Sequence, residues 1–201
     1  REKFNLNWPL YDGKTLKWYP SPLMRGRTER EVSRDEWHRE PFVIASSHLM
    51  RRRDRQRELL DAAEPWDLIV LDEAHHARRK SPGATKEGPP NLLLQLMQKL
   101  SARTQALLLL TATPMQVHPV EVWDLLSLLA MPTDWSRGAF LEFFRKSGDG
   151  NPSPDDFEML ARLFRAAEDA FGPVPLDVAV RRTVGKSKLK AHNVLRALRD
   201  T

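Results

Sequence analysis

The chain has 201 residues, of which 41% are hydrophobic and 29% are charged, and its formal net charge is +5. The hydrophobic content supports a core of its own, and the charged content is ordinary for a soluble protein. The small basic excess permits an anionic partner such as nucleic acid without requiring one.

Four short apolar runs predict strands at residues 8–11, 42–46, 68–72 and 106–111. The last three runs are nearly continuous, which is typical of a parallel sheet that is covered on both faces. Helical periodicity between and after them predicts helices at residues 48–63, 91–102 and 120–130. This alternation of strands and helices predicts an open α/β sheet with right-handed crossovers.

The composition changes near Met131. Beyond it, a polar Gly/Pro break separates "FLEFFRK" from "DDFEMLARLFRAAEDAF", and both segments have helical patterns. A basic segment follows from Arg181, and "LDVAV" is the one candidate strand in this part of the chain. We therefore expect an α/β domain at residues 1–132 and a helical accessory region at residues 133–201.

Three features indicate the setting of the chain. It contains no cysteine, which excludes disulfides and thiolate metal sites and favours the cytoplasm. No apolar run approaches the roughly 20 residues that cross a bilayer, so we expect no membrane attachment. The N-terminus has no signal-peptide pattern and no initiating Met, and we expect a fragment of a longer protein.

The segment "WDLIVLDEAHHARRK" carries an apolar strand directly into two adjacent acids, Asp72 and Glu73. Ligands of open α/β sheets bind at the carboxyl ends of the strands. Mg²⁺ accepts one or two carboxylates together with phosphate oxygens, and a second carboxylate can polarise an attacking water, as phosphoryl transfer requires. The structural alternative is that Asp72 begins a turn and Glu73 begins a helix.

A second motif, "LLLLTATP", places Thr111 and Thr113 at the end of the next strand. Together with Asp72-Glu73-Ala74-His75, it resembles motifs II and III of helicase superfamily two, the DEAH-type nucleic-acid motor ATPases. The segments "FVIASSHLMRR" and "LLLLTATPMQVHPVEVWDLLSLL" are similar to the Swi/Snf-type branch, especially to its bacterial members. The resemblance extends from about Phe42 to Pro132.

This resemblance implies a partial RecA-like first motor lobe of the P-loop NTPase type, with ATP and Mg²⁺ as cofactors. It implies double-stranded DNA as the track, with RNA as the open alternative, and a bacterial, nucleoid-associated protein. By the same resemblance, Asp72 would hold Mg²⁺ through water and Glu73 would activate the hydrolytic water. Coupling of the nucleotide state to the nucleic acid and the second lobe would fall to His75, Thr111 and Thr113. Ser46 would contact a phosphate of the nucleic-acid backbone.

The run "RRRDRQR" is a further candidate for nucleic-acid binding, because arginine contacts phosphates without reading sequence. Arg51 and Arg55 share one face of the predicted helix. The alternative is a solvated helix face, on which Asp54 and Glu58 pair locally with the arginines.

The phosphate-binding loop G-x-x-x-x-G-K-[ST] of such motors is not complete in this sequence. "DGKT" and "VGKS" each contain Gly-Lys, but Trp8 and Val180 occupy the positions of the first glycine. We expect this loop and the second RecA-like lobe to lie elsewhere in the parent protein, so that the fragment alone hydrolyses negligible ATP.

Two functions of different classes remain open. The first is an ATP-driven motor on double-stranded DNA, either a translocase or a strand-separating helicase. The second is a non-catalytic, degenerate motor lobe that binds nucleic acid or a protein partner.

Overall fold

A computed structural model describes residues 8–18, 28–84, 88–116, 118–147 and 153–173. The chain divides into two compact units, Arg1–Pro114 and Met115–Thr201. This division is based on contacts between residues. The domain boundary that we predict after residue 132 is based on a change in composition, and it stays a prediction. "LDVAV", "VGKS" and the basic segment from Arg181 lie outside the described residues.

A small mixed sheet lies near the start of the first unit. Its strands are β1 (Leu10–Tyr11), β2 (Thr15–Trp18), β3 (Thr28–Glu31) and β4 (Ile44–Ala45). Their order is β3-β2-β1-β4, with β1 and β4 parallel and the other pairs antiparallel. The sequence predicts β1 and β4 but not β2 and β3, which are short and contain no apolar run.

The "DGKT" segment forms the tight turn between β1 and β2. Asp12 Oδ1 accepts hydrogen bonds from the backbone N–H groups of Lys14 and Thr15, at 3.0 and 2.9 Å. The ion pair with Lys17 and these hydrogen bonds hold the pKa of Asp12 well below its usual range. Gly13 has φ +104°, a conformation that favours glycine. This glycine therefore closes the hairpin between β1 and β2.

The predicted helix at residues 48–63 is interrupted in the structure. It consists of α1 (Ser47–Met50), α2 (Arg53–Arg57) and a π-helical turn (Glu58–Ala62). The break is at Arg52, whose backbone is extended, with ψ 139°. The prediction of one continuous helix was wrong, because leucine spacing alone does not show where the backbone leaves the helical conformation.

The second sheet carries the acidic motif. Strands β5 (Trp66–Leu71) and β6 (Thr104–Leu109) are parallel, with Leu71 opposite Leu109. Between them, α3 (Leu92–Ser101) begins at its cap residue Asn91 and buries five apolar side chains. A parallel β-α-β unit is therefore present, as predicted, although β5 and β6 form a sheet separate from β1–β4.

One face of the β5–β6 pair is open. Leu68 and Val70 on β5 are 53% and 48% exposed, and Leu108 on β6 and Leu110 just beyond it are 45% and 43% exposed. Side chains alternate between the faces of a strand, so the open face continues from Leu68 and Val70 to Asp72. Parallel sheets are normally covered on both faces, and this one is covered on one face only within the described residues.

The second unit is helical within its described part. It contains α4 (Val120–Leu126), α5 (Arg137–Ser147) and α6 (Pro154–Phe171). Its core is built on Trp135, Phe140 and Leu163, and the Trp135 indole N–H donates to the carbonyl of Leu163 at 2.7 Å. No helix of the described residues is long and apolar enough to cross a membrane.

Candidate functional site

The two acids occupy a strained turn at the end of β5. Asp72 follows the strand, and its Oδ1 accepts a hydrogen bond from the backbone N–H of Glu73 at 2.9 Å. Glu73 has φ 51° and ψ 47°, the left-handed conformation, which costs a non-glycine residue about 1–3 kcal/mol. Surrounding structure must therefore hold this turn in place.

Backbone hydrogen bonds join the turn to the end of β6. Leu110 donates from its N–H to the carbonyl of Leu71, and Ala74 donates to the carbonyl of Leu110, both at 2.9 Å. Ala74 is completely buried and begins a 3₁₀ turn, Ala74–His76. The β5–β6 pairing thus continues past both strands and brings the segment after β5 beside Thr111.

His75 contacts a residue from each motif. Its Nδ1 lies 3.1 Å from the Thr111 hydroxyl and 3.3 Å from Glu73 Oε2. The His75 side chain is 15% exposed, whereas that of Glu73 is 59% exposed. A ring nitrogen carries at most one hydrogen, so Nδ1 cannot donate a full hydrogen bond to both partners at once. The geometry therefore sets Glu73 and Thr111 in competition for one imidazole nitrogen.

The threonine-bearing turn is organised by Thr111. The backbone N–H of Thr113 donates to Thr111 Oγ1 at 3.2 Å. Thr111 is half-buried and Thr113 is exposed. Contacts between side chains thus bring together three of the five predicted catalytic and coupling residues, Glu73, His75 and Thr111. Asp72 and Thr113 join them through hydrogen bonds between a side chain and the backbone.

The side chains around Asp72 suit a magnesium ion better than a zinc ion. Among the described residues, no group of three or more His, Cys, Asp or Glu side chains could enclose a metal ion. Asp72 is exposed, and within that part of the chain only its Oδ1 is hydrogen-bonded. A single accessible carboxylate fits Mg²⁺, which keeps most of its water ligands, and does not fit a closed zinc site.

Two of the predicted phosphate contacts are accessible. Ser46 is exposed and caps α1, with its Oγ accepting from the N–H of His48 at 3.3 Å. Its hydroxyl hydrogen can still be donated to another acceptor. Arg51 is half-buried at the C-terminal end of α1.

Arg55 does not fit the prediction that it contacts nucleic-acid phosphates, because it is only 7% exposed. Its guanidinium donates to the Tyr11 hydroxyl at 3.0 Å, the Gly13 carbonyl at 3.0 Å and Glu58 Oε1 at 2.9 Å. The break at Arg52 removes the shared helix face with Arg51 on which the prediction depended. A phosphate contact would require this network to open, so the structure favours a role for Arg55 in folding.

Sequence reasoning missed the aromatic part of this network. The Trp37 indole N–H donates to Glu58 Oε2 at 2.8 Å, and the Trp37 ring stacks on Tyr11 with centroids 4.5 Å apart. Burial, and next the Glu58 carboxylate, raise the pKa of Tyr11, which keeps its hydroxyl neutral. Trp37 lies outside every predicted element, so no periodic signal marks it as a core residue.

The comparison with known families agrees with the two motifs. Residues 22–165, more than half of the chain, match the family model described as SNF2-related domain. The chain belongs to the SNF2-related family. This membership confirms the resemblance to Swi/Snf-type, helicase-like ATPases that the motifs indicate.

The SNF2-related chain is also similar to three bacterial proteins that are named RNA polymerase-associated protein RapA. The protein of Actinobacillus pleuropneumoniae serotype 5b is 34% identical over 128 residues, which are 63% of this chain and 12% of the relative. Those of Cronobacter sakazakii and Yersinia enterocolitica are each 34% identical over 57% of this chain and 10% of the relative. The SNF2-related chain therefore spans only a small part of these relatives' length.

Proposed function

We propose that the chain is part of a RecA-like first motor lobe in an ATP-dependent motor that moves on double-stranded DNA. The observation that carries this proposal is the contact of His75 with both Glu73 and Thr111, because it joins the strand-end acids to the threonine-bearing turn. Membership of the SNF2-related family supports the same reading. RNA remains the alternative track, and a bacterial, nucleoid-associated location in the cytoplasm is part of the proposal.

Each residue of the site has a proposed task. Asp72 holds Mg²⁺ through water, and the ion when bound neutralises charge on the phosphates of ATP. Glu73 accepts a proton from the hydrolytic water, for which its 59% exposed side chain is accessible. His75, Thr111 and Thr113 transmit the state of the nucleotide site to the nucleic acid and to the second lobe.

The open face of the β5–β6 pair supports a second part of the proposal. Asp72 shares that face with Leu68 and Val70, so whatever covers these two side chains also lies beside the Asp72 carboxylate. We propose that another segment of the parent protein covers this face and supplies the phosphate-binding loop. A complete RecA-like sheet, a second lobe and appreciable hydrolysis then belong to the parent protein.

Contact with the nucleic-acid backbone is assigned to Ser46 and Arg51. Ser46 has a hydroxyl hydrogen to donate to a phosphate, and Arg51 carries a permanent positive charge. Neither residue reads bases in this proposal, which suits a motor that moves along any sequence.

A non-catalytic, degenerate lobe is the second candidate, and one observation favours it. Its Gly-Lys segment "DGKT" closes a hairpin between two strands, which gives these residues a structural role. The two candidates differ in whether the parent protein hydrolyses ATP when duplex DNA is present.

The test uses the parent protein with a duplex that carries a bound third strand. The motor is expected to hydrolyse ATP faster when duplex is added and to displace the third strand only when ATP is present. Displacement without separation of the duplex would indicate a translocase, and separation would indicate a helicase. Hydrolysis stimulated by RNA and not by duplex DNA would indicate the alternative track. Absence of stimulation by both would refute the motor and leave the binding module.

A further inference from the structure

Asn91 makes hydrogen bonds to two different elements through the two ends of its side-chain amide. Its Nδ2 donates to the backbone carbonyl of His76 at 2.7 Å. Its Oδ1 accepts from the backbone N–H of Leu94 at 2.8 Å and so caps α3. His76 is the last residue of the 3₁₀ turn that follows Glu73. One side chain therefore joins the acid-bearing turn to the start of the helix that packs under β6.

The backbone around Asn91 is fixed as well. Arg79 and Pro90 form an antiparallel bridge, and the N–H of Asn91 donates to the carbonyl of Arg78 at 2.9 Å. Gly88 also joins these two segments, because its N–H donates to the Lys80 carbonyl at 2.9 Å. A Cβ at Gly88 would lie 2.7 Å from the same oxygen, so the close approach requires glycine. Asn91 is thus a fixed point from which the turn can be held.

We propose that Asn91 is a positioning residue that holds the Asp72–His76 turn in its strained conformation. The left-handed Glu73 must be over-determined by its surroundings to persist. On the side of β6, the turn is held by the bond from the Ala74 N–H to the Leu110 carbonyl and by the contact between His75 and Thr111. On the side of α3, Asn91 holds the end of the turn. The catalytic part of this inference rests on the proposed function, whereas the tether itself does not.

The alternative is that Asn91 serves only as the cap of α3. The variants Asn91→Ser and Asn91→Asp separate the bond to the His76 carbonyl from the cap of α3. Both keep a side-chain oxygen that caps a helix, and both lose the amide N–H that donates to His76. Gln95→Ala is a matched control. The Gln95 Nε2 donates to the Pro90 carbonyl at 2.7 Å, a bond of the same kind and length that does not touch the turn.

The first measurement is amide hydrogen exchange in the 201-residue chain. In Asn91→Ser, the amides of His76 and Ala77 are expected to exchange about 10-fold faster, while the amides of α3 keep their protection. Gln95→Ala is expected to leave the turn amides unchanged. Unchanged turn amides in Asn91→Ser, or an equal loss of protection along α3, would overturn the tether.

The second measurement is steady-state ATP hydrolysis by the parent protein. Both Asn91 variants are expected to lower kcat about 10-fold and to leave KM for ATP within about twofold. Glu73 lies within the loosened part of the turn, whereas Asp72 directly follows Leu71, whose carbonyl stays bonded to the Leu110 N–H. A normal kcat with a loosened turn would overturn the positioning role. If the wild-type parent hydrolyses no ATP, the proposed motor fails, and the exchange experiment still decides whether Asn91 holds the turn.

Discussion

The imidazole Nδ1 of His75 lies 3.1 Å from the hydroxyl of Thr111, so the segments that follow β5 and β6 are joined through side chains as well as through backbone. The same nitrogen lies 3.3 Å from Glu73 Oε2. A shift of the threonine-bearing turn therefore changes how the imidazole is shared with the proposed base. This relationship is the contact on which the proposed coupling role rests.

We predict that Thr111→Val in the parent protein lowers the stimulation of ATP hydrolysis by duplex DNA about 10-fold, within the usual range of coupling free energies. Valine keeps the shape of threonine but offers His75 no hydrogen-bond partner. Thr111→Ser restores the hydroxyl and should keep most of the stimulation. The measurement is the ratio of the hydrolysis rates with and without saturating duplex.

Thr104 provides the matched control for this experiment. Its hydroxyl donates to the Trp66 carbonyl at 2.8 Å, at the opposite end of the β5–β6 pair. Thr104→Val makes the same chemical change and removes the hydroxyl's bonds to the Trp66 and Ala106 carbonyls, away from the acids. If Thr104→Val and Thr111→Val reduce the stimulation equally, the contact between His75 and Thr111 carries no special coupling.

The Arg55–Glu58 pair gives a prediction about folding. Arg55→Met should reduce the free energy of unfolding by about 3–5 kcal/mol, because it leaves the Glu58 carboxylate buried without its closest cation. Adding Glu58→Gln should recover part of this loss, since the neutral amide still offers an oxygen to the Trp37 N–H. Urea unfolding of the 201-residue chain measures both variants, and a loss below about 1 kcal/mol for Arg55→Met would contradict the network's role.

Asp156 gives a prediction about pH. It pairs with Lys146 at 2.6 Å and accepts from the Ser153 N–H at 2.9 Å, and these contacts lower its pKa from 3.8 to about 2. A group whose pKa is lower in the folded protein stabilises it above the unfolded pKa and loses this effect as the pH falls through the folded pKa. The helical unit should therefore lose stability between about pH 4 and pH 2.

Asp156→Asn isolates this effect from other titrating acids. It removes the charge and retains an oxygen for the capping interaction with Ser153. The difference in melting temperature between wild type and Asp156→Asn, followed by circular dichroism, should be present at pH 5 and should vanish towards pH 2. A difference that is independent of pH would show that the ion pair does not stabilise the unit.

The sequence predicts much of the fold because apolar runs and helical spacing are local signals. Strands β5 and β6, the helix between them and the two long helices of the second unit all follow from such patterns. The interruption at Arg52 and the strands β2 and β3 do not, because no apolar run or change of helical spacing marks them in the sequence. The burial of Arg55 depends on Tyr11, which is 44 residues away.

The candidate site divides in the same way. The motifs predict that the acids, His75 and the threonines lie at one edge of a sheet, and the structure places them there. The left-handed backbone of Glu73 and the double role of Asn91 have no sequence signal, because both depend on how the turn is held in three dimensions. The roles of these residues in catalysis stay predictions.

The most direct test of the central proposal is the rate of duplex-stimulated ATP hydrolysis by the parent protein carrying Glu73→Gln. Asp67→Asn is the matched control, since Asp67 lies on the same strand at its opposite end and pairs with Gln105. If Glu73 activates the hydrolytic water, Glu73→Gln should bind ATP normally and lose at least about 100-fold in kcat, while Asp67→Asn stays within about twofold of wild type. A Glu73→Gln protein that hydrolyses ATP at the wild-type rate would contradict the account.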